Sequence, residues 1–242
     1  ENLPEEIIRR IVDITSDVNL CYSEHALRYI LNSGANPEYT FVVGSPMAEI
    51  LDNYSEQIKS SDILERLGLK KKRYILFSAH REENIDNEDN FILLMNAVNK
   101  MAEKYDMPIL YSCHPRSKKY IEHRNFLFDK RVIQHSPLGF FDYNKLQQSA
   151  FCVVSDSGTL PEESAYYKFP AVSVRTSTER PEAMERGVFV LGSISTEQVL
   201  QAVDLATTMY DNSDLSSKVE AYFDNNVSTK VIKIIQSYVG II

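Results

Sequence analysis

An α/β fold built on a parallel sheet is what this sequence predicts, and three observations predict it. Short runs rich in Val, Ile, Phe and Tyr recur along the chain, helical patterns lie between most of them, and several runs are continuously apolar. Such strands, alternating with amphipathic helices, mark a parallel sheet covered on both faces. The expected strands are VNLCY (18–22), TFVVG (40–44), RYILFSA (73–79), PILYSC (108–113), RVIQHS (131–136), FCVVS (151–155), PAVSV (170–174) and GVFVLG (187–192). Between the third and fourth, DNFILLMNAVNKMAEKY (89–105) carries apolar residues at helical spacing. From Ser195 onward the pattern is that of two or three packing helices.

Composition narrows the function classes. At 242 residues and 27.7 kDa the chain can bury a large core in one or two domains. A net charge of −8 argues against a broad nucleic-acid surface but leaves room for a small cationic pocket. The three cysteines, Cys21, Cys113 and Cys152, are odd in number and far apart. They are expected in the core of a cytoplasmic protein kept in a reducing compartment. No apolar run has the length needed to span a membrane. The chain opens without methionine on ENLPEEIIRRIVD, a helix pattern with Pro4 in its first turn and Glu5 and Glu6 at its positive end. The expectation is a cut chain.

Ligands of parallel sheets bind beyond the carboxyl ends of the strands, so the residues just past each strand matter most. After RYILFSA come His80, Arg81, Glu82, Glu83 and Asn84; after PILYSC come His114, Pro115 and Arg116. After FCVVS come Asp156, Ser157, Gly158 and Thr159, and after PAVSV the segment Arg175 to Glu182. Four strands ending in polar or basic clusters make one rim of the sheet a candidate site. Ser157-Gly158-Thr159 opens a helix, whose free N–H groups favour phosphate, although the same residues make ordinary caps. Glu162 or Glu163, one turn in, could accept both hydroxyls of a ribose or merely compensate the helix dipole. His80 with Arg81, and His114 with Arg116, could neutralise a diphosphate or serve as structural groups. Arg175, Glu179, Arg180 and Glu182 fit a site, with a surface ion-pair network as the alternative. His25, His123 and His135 have no metal-ligand spacing, and GxGxxG is absent.

These motifs together resemble the non-hydrolysing UDP-N-acetylglucosamine 2-epimerase family, which has a GT-B fold of two Rossmann-like domains. PEEIIRR (4–10), CYSEHA (21–26), VVGSPMAEIL (42–51), SAHREEN (78–84), CHPR (113–116), SDSGTLPEE (155–163) and RTSTERPEA (175–183) carry the resemblance, which runs to about residue 195. FSAHREENIDN, PLGFFDYNKLQ and SDSGTLPEES are most similar to a capsule and O-antigen branch. Members of that branch make UDP-N-acetyl-L-fucosamine by inverting C2 of UDP-2-acetamido-2,6-dideoxy-β-L-talose.

The resemblance implies a cofactor-free, metal-free isomerase acting on a UDP-N-acetyl sugar. UDP is eliminated across C1–C2 and then added back. It implies catalytic roles for His80, at the departing diphosphate, and Glu5, as an acid/base candidate. UDP contacts fall to Arg81, His114, Arg116, Ser157, Gly158, Thr159, Arg180 and Glu182, with Glu163 on the ribose and Tyr143 against uracil. Residues 1–35 are expected to be an N-terminal-domain remnant, 36–210 the UDP-binding domain, and 211–242 C-terminal helices.

The sequence departs from the family where Thr159 replaces the second glycine of Ser-Gly-Gly, and where Ile8 replaces an asparagine. The family's N-terminal domain is missing, so the expectation is a chain that holds UDP but turns over poorly or not at all. The full-length enzyme is expected to be a homodimer that engages neither nucleic acid nor membrane. A UDP-GlcNAc/UDP-ManNAc 2-epimerase, a GT-B glycosyltransferase and a non-catalytic nucleotide-sugar module are the competing readings.

Overall fold

The computed structural model describes residues 4–212 and 218–240. All eight expected strands form: β1 (Asn19–Cys21), β2 (Thr40–Val42), β3 (Ile75–Ser78), β4 (Ile109–Ser112), β5 (Val132–His135), β6 (Cys152–Ser155), β7 (Ala171–Ser173) and β8 (Val190–Leu191). Every pairing among them is parallel. The chain divides into two compact units, Glu1–Asn53 with Val219–Ile242, and Tyr54–Lys218.

In the first unit β1 and β2 pair in register from Asn19↔Thr40 to Cys21↔Val42. A parallel pair needs a crossover, here the helix Glu24–Asn32, whose first turn is capped by Ser23 Oγ accepting from Ala26 N–H at 3.2 Å. The C-terminal stretch returns to this unit. Ser45 N–H donates to the Ala221 carbonyl at 2.8 Å, and Lys230 Nζ donates to the Val43 carbonyl at 3.0 Å. The units therefore cut the chain elsewhere than the expected divisions at residues 35 and 210. Strand pairing carries β2 to β1, and these bonds bring the last helix, Val227–Tyr238, back to the same unit.

The second unit holds a six-stranded sheet in the order β5-β4-β3-β6-β7-β8. Counted within this sheet, the order is that of the doubly wound dinucleotide folds, with the strand order reversing between β3 and β6. Its central strands are continuously apolar because helices cover both faces. Val153 and Val154 are fully buried, as are Ile75, Leu76 and Phe77. Edge strand β5 is only half-buried. Phe77 and Tyr111 meet edge to face across β3 and β4, with ring centroids 4.8 Å apart. The helix Glu88–Tyr105 lays Phe91, Leu94, Met95, Val98, Met101 and Ala102 into this core, starting from an Asn87 cap. The helix Thr196–Asn212 adds Val199, Ala202, Val203 and Ala206. Cys113 and Cys152 are buried free thiols, and burial pushes them up to about 11 and about 12, far from reactive thiolates.

Just past β8 the chain passes so close to its neighbours that only glycine fits. A Cβ at Gly192 would lie 2.7 Å from Val172 Cγ1 and 3.1 Å from Ala202 Cβ. Gly192→Ala is expected to overpack the contact between β7 and the Thr196–Asn212 helix and to destabilise by about 1–3 kcal/mol. Urea denaturation measures this; an unchanged midpoint would show that the neighbours yield freely.

Candidate functional site

Three strand ends meet around one carboxylate. Asp156, the first residue after β6, is completely buried. Its Oδ2 accepts from the backbone N–H groups of His80 and Arg81, both at 2.9 Å, and from Asn84 Nδ2 at 3.1 Å. Its Oδ1 lies 3.1 Å from His80 Nδ1, an ion-pair distance although the ring N–H is not aimed squarely at it. Asn84 Nδ2 also donates to the Val174 carbonyl at 3.0 Å, drawing the end of β7 into the cluster. Arg81 Nε donates to the Asp156 carbonyl at 3.0 Å. The carboxylate side chain thus holds the turn after β3, and its own backbone holds the arginine.

This arrangement sets charge. The bond to Asp156 raises the His80 imidazole above its ordinary value, with partial burial opposing. Burial would raise Asp156, but the His80 contact and the backbone N–H groups outweigh it and hold the carboxyl below its usual range. The two shifts agree in direction: each partner favours the charged form of the other. The imidazole remains half-exposed at the end of the sheet.

A second histidine stands next to it. His114, after β4, has its ring centroid 5.9 Å from that of His80. It caps the helix Pro115–His123, its Nδ1 accepting from Arg116 N–H at 3.2 Å. Arg116 itself is engaged elsewhere. Its Nε and Nη2 donate to Asp86 at 2.9 and 2.7 Å, and its Nη1 to Glu82 at 2.8 Å. Two carboxylates from the turn after β3 neutralise it, so the expected ligand role competes with a structural one.

Across the crevice between β3 and β6 runs a line of hydroxyls. Tyr143 Oη, from the helix Phe140–Ser149, lies 2.9 Å from Ser78 Oγ, which lies 2.7 Å from Ser155 Oγ. Ser155 Oγ accepts from Ser157 N–H at 3.0 Å, and Ser157 Oγ lies 3.0 Å from Thr159 Oγ1. Thr159 Oγ1 donates to Glu163 Oε1 at 3.1 Å, and Gln147 Nε2 donates to Glu163 Oε2 at 2.6 Å. Glu163 is buried in the first turn of the helix Leu160–Tyr167. Burial pushes its carboxyl above the usual range, against these two bonds.

Gly158 has no reason within the fold to be glycine. Its φ is not left-handed, and a Cβ there would meet only Arg81 Nη2 at 3.8 Å, an ordinary contact. On the β7 side, Arg180 Nε pairs with buried Glu162 Oε1 at 3.1 Å. Burial raises Glu162, and Arg180 opposes the rise. Buried Arg175 reaches Glu179 at 3.2 Å through Nη2, while its Nε has no partner among the described residues. Glu182 is buried in the short helix Pro181–Glu185. The Glu5 side chain lies outside the described residues.

The second unit thus gathers His80, Arg81, His114, Tyr143, Ser157, Gly158, Thr159, Glu163, Arg180 and Glu182 on elements that end at one edge of the sheet. Sequence reasoning assigned no role to Asp156, Asn84, Ser78, Ser155 or Gln147, which hold them there. Asp156 had a visible signal, its place directly after an apolar strand, but its burial did not show. Among the described residues no group of three or more His, Cys, Asp or Glu is placed to hold a metal ion, and no helix is long and apolar enough to cross a membrane.

A doubly wound parallel sheet with polar groups gathered beyond its strand ends is an α/β domain of the expected GT-B type. Comparison with known proteins makes this specific. The UDP-N-acetylglucosamine 2-epimerase family profile matches residues 1–236, and the chain belongs to that family. It is 31% identical over 214 residues to the UDP-N-acetylglucosamine 2-epimerase of Methanocaldococcus jannaschii, covering 84% of this chain and 58% of that relative. The UDP-N-acetylglucosamine 2-epimerase structure from Rickettsia bellii matches with a TM-score of 0.86 at 37% identity, covering 98% of this chain and 64% of that one. The M. jannaschii enzyme in complex with UDP-GlcNAc and UDP matches with a TM-score of 0.87 at 26% identity, over 98% of this chain and 65% of that one. The chain therefore spans about three-fifths of the length of these relatives.

Removing the central carboxylate tests the architecture of the site. Asp156→Ala is expected to destabilise the protein by about 3–5 kcal/mol, because an imidazole, two backbone N–H groups and an amide lose a buried partner. Urea denaturation of the variant checks this, and a loss below about 1 kcal/mol would show that water replaces the carboxylate.

Proposed function

We propose that this chain supplies the UDP-gripping part of a UDP-N-acetylhexosamine 2-epimerase. The observation that carries the reading is the joining of a cationic strand-end pair, His80 and Arg81, to an open helix start and a buried acceptor, Glu163, at one sheet reversal. Cation, free backbone donors and an acceptor for hydroxyls are the three recognition elements of a nucleoside diphosphate. Gly158 supports it, since a residue with no steric reason to lack a side chain fits a ligand that comes close to the backbone.

In this reading the C1–O bond to UDP breaks as the C2 proton is removed, leaving a glycal and free UDP. UDP then adds back while C2 takes a proton on its other face. His80, raised above its ordinary value by Asp156, stabilises charge on the departing diphosphate, with Arg81, His114 and Arg180 around it. Ser157, Gly158 and Thr159 face the phosphates, Glu163 the ribose and Tyr143 the uracil. Glu182 lies toward the sugar, and Glu5 is the acid/base candidate on this chain. No metal or redox cofactor takes part. Turnover requires further acid/base groups on the sugar; the chain alone binds UDP and turns over poorly.

The finer reading is that the product is UDP-N-acetyl-L-fucosamine, for capsule or O-antigen polysaccharide, made in the cytoplasm by a homodimer. Relatives named UDP-N-acetylglucosamine 2-epimerase support the alternative substrate, UDP-GlcNAc. A Rickettsia africae glycosyltransferase shares the fold at 12% identity with a TM-score of 0.62, a likeness of fold alone.

Calorimetric titration with UDP tests the grip. Saturable binding is expected, with uridine far weaker and no effect of EDTA; equal affinities for UDP and uridine would remove the phosphate assignment. His80→Ala and Glu163→Ala should each weaken UDP binding by about 1–3 kcal/mol, the range for a hydrogen bond to a charged group.

The pH profile of UDP affinity should be bell-shaped. The raised His80 value extends the cationic form to higher pH than an ordinary histidine allows, and affinity falls once pH rises past it. The raised Glu163 value means its carboxylate is lost, and affinity with it, at a higher pH than an ordinary glutamate requires. His80→Ala should abolish the basic limb attributed to the imidazole; a limb that persists unchanged assigns it to another group.

A further inference from the structure

Thr159 sits at the cap position of the helix Leu160–Tyr167, but its hydroxyl does not cap the helix. It reaches forward to Glu163 Oε1 at 3.1 Å and back to Ser157 Oγ at 3.0 Å. An ionised carboxylate only accepts, so the single hydroxyl proton of Thr159 goes to Glu163. Thr159 Oγ1 then accepts from the Ser157 hydroxyl, which gives the chain Ser157→Thr159→Glu163 one direction. The other carboxylate oxygen takes its hydrogen bond from Gln147, itself buried on the facing helix Phe140–Ser149. Each oxygen of Glu163 therefore has one protein donor.

Two oxygens offer about four lone-pair sites. With one on each oxygen occupied, one remains on each, the number a vicinal diol needs for its two hydroxyls. Without the Thr159 donor, Oε1 has no protein hydrogen bond to hold the carboxylate in that plane. The choice of residue at this position thereby acts on the sugar half of the nucleotide through Glu163, in addition to its place in the turn that faces the phosphates.

Resting on the nucleotide reading given above, we propose that Thr159 is a positioning residue that orients Glu163 toward the ribose diol and so sets discrimination for ribose over deoxyribose. Its chemistry is that of a fixed donor, so serine serves in its place and valine, of the same shape, does not.

Calorimetric titration of the chain with UDP and 2′-deoxy-UDP provides the test. The wild-type chain should prefer UDP by roughly tenfold or more, the range for a hydrogen bond to a charged acceptor. Thr159→Val should lose most of that preference, weakening UDP more than it weakens 2′-deoxy-UDP. Thr159→Ser should restore it, and Thr159→Gly, which relaxes the turn, should behave as the valine variant does. Parallel weakening of both nucleotides in Thr159→Val, or an unchanged ratio, would overturn the proposal while the nucleotide site stands. Absence of UDP binding by the wild-type chain would overturn the nucleotide reading and this proposal together.

Discussion

The site depends on one buried carboxylate. Asp156 has no exposed surface, and a charge removed from water persists only where partners replace its hydration. Here the replacements are two backbone N–H groups, an amide and an imidazole, all belonging to the turn after β3. Those partners are the two residues proposed to meet the diphosphate, His80 and Arg81, and the asparagine that reaches β7. Satisfying Asp156 and building the rim are therefore one requirement. The same contact raises the imidazole above its ordinary value.

The strand order makes room for this. Adjacent parallel strands that send their crossovers in opposite directions leave a crevice beyond their ends, and β3 and β6 are such a pair. Ser78 and Ser155 pair across it in register, and their hydroxyls meet at 2.7 Å. From them the hydroxyl line extends to Tyr143 on one side and toward Glu163 on the other. A row of short side chains in mutual hydrogen bonds has few alternative arrangements, so the wall it forms is pre-organised.

Arg81 and Arg116 show how two similar residues diverge. Both come closely after strands and both belong to basic pairs with a histidine. Arg81 donates through Nε to a neutral carbonyl. Arg116 meets Asp86 and Glu82, and its charge is compensated within the fold. Proximity to a strand end in sequence is thus insufficient to define a ligand arginine; the carboxylates brought near it by the neighbouring turn decide.

Local pattern was enough to read the eight strands, their parallel sense and the strand ends that carry polar residues, because apolar runs and helical periodicity depend on near neighbours alone. It was also enough to recognise the family from ordered motifs such as SAHREEN and SDSGTLPEE. The order of strands in the sheet, and hence which ends share a crevice, arises from long-range pairing that no local pattern encodes. Only the tertiary structure buried Asp156, engaged Arg116, brought Gln147 to Glu163 and returned the last helix to the first unit. Burial and partner choice depend on residues about eighty positions apart, as with Asp156 and His80, and these meet only when the sheet is assembled.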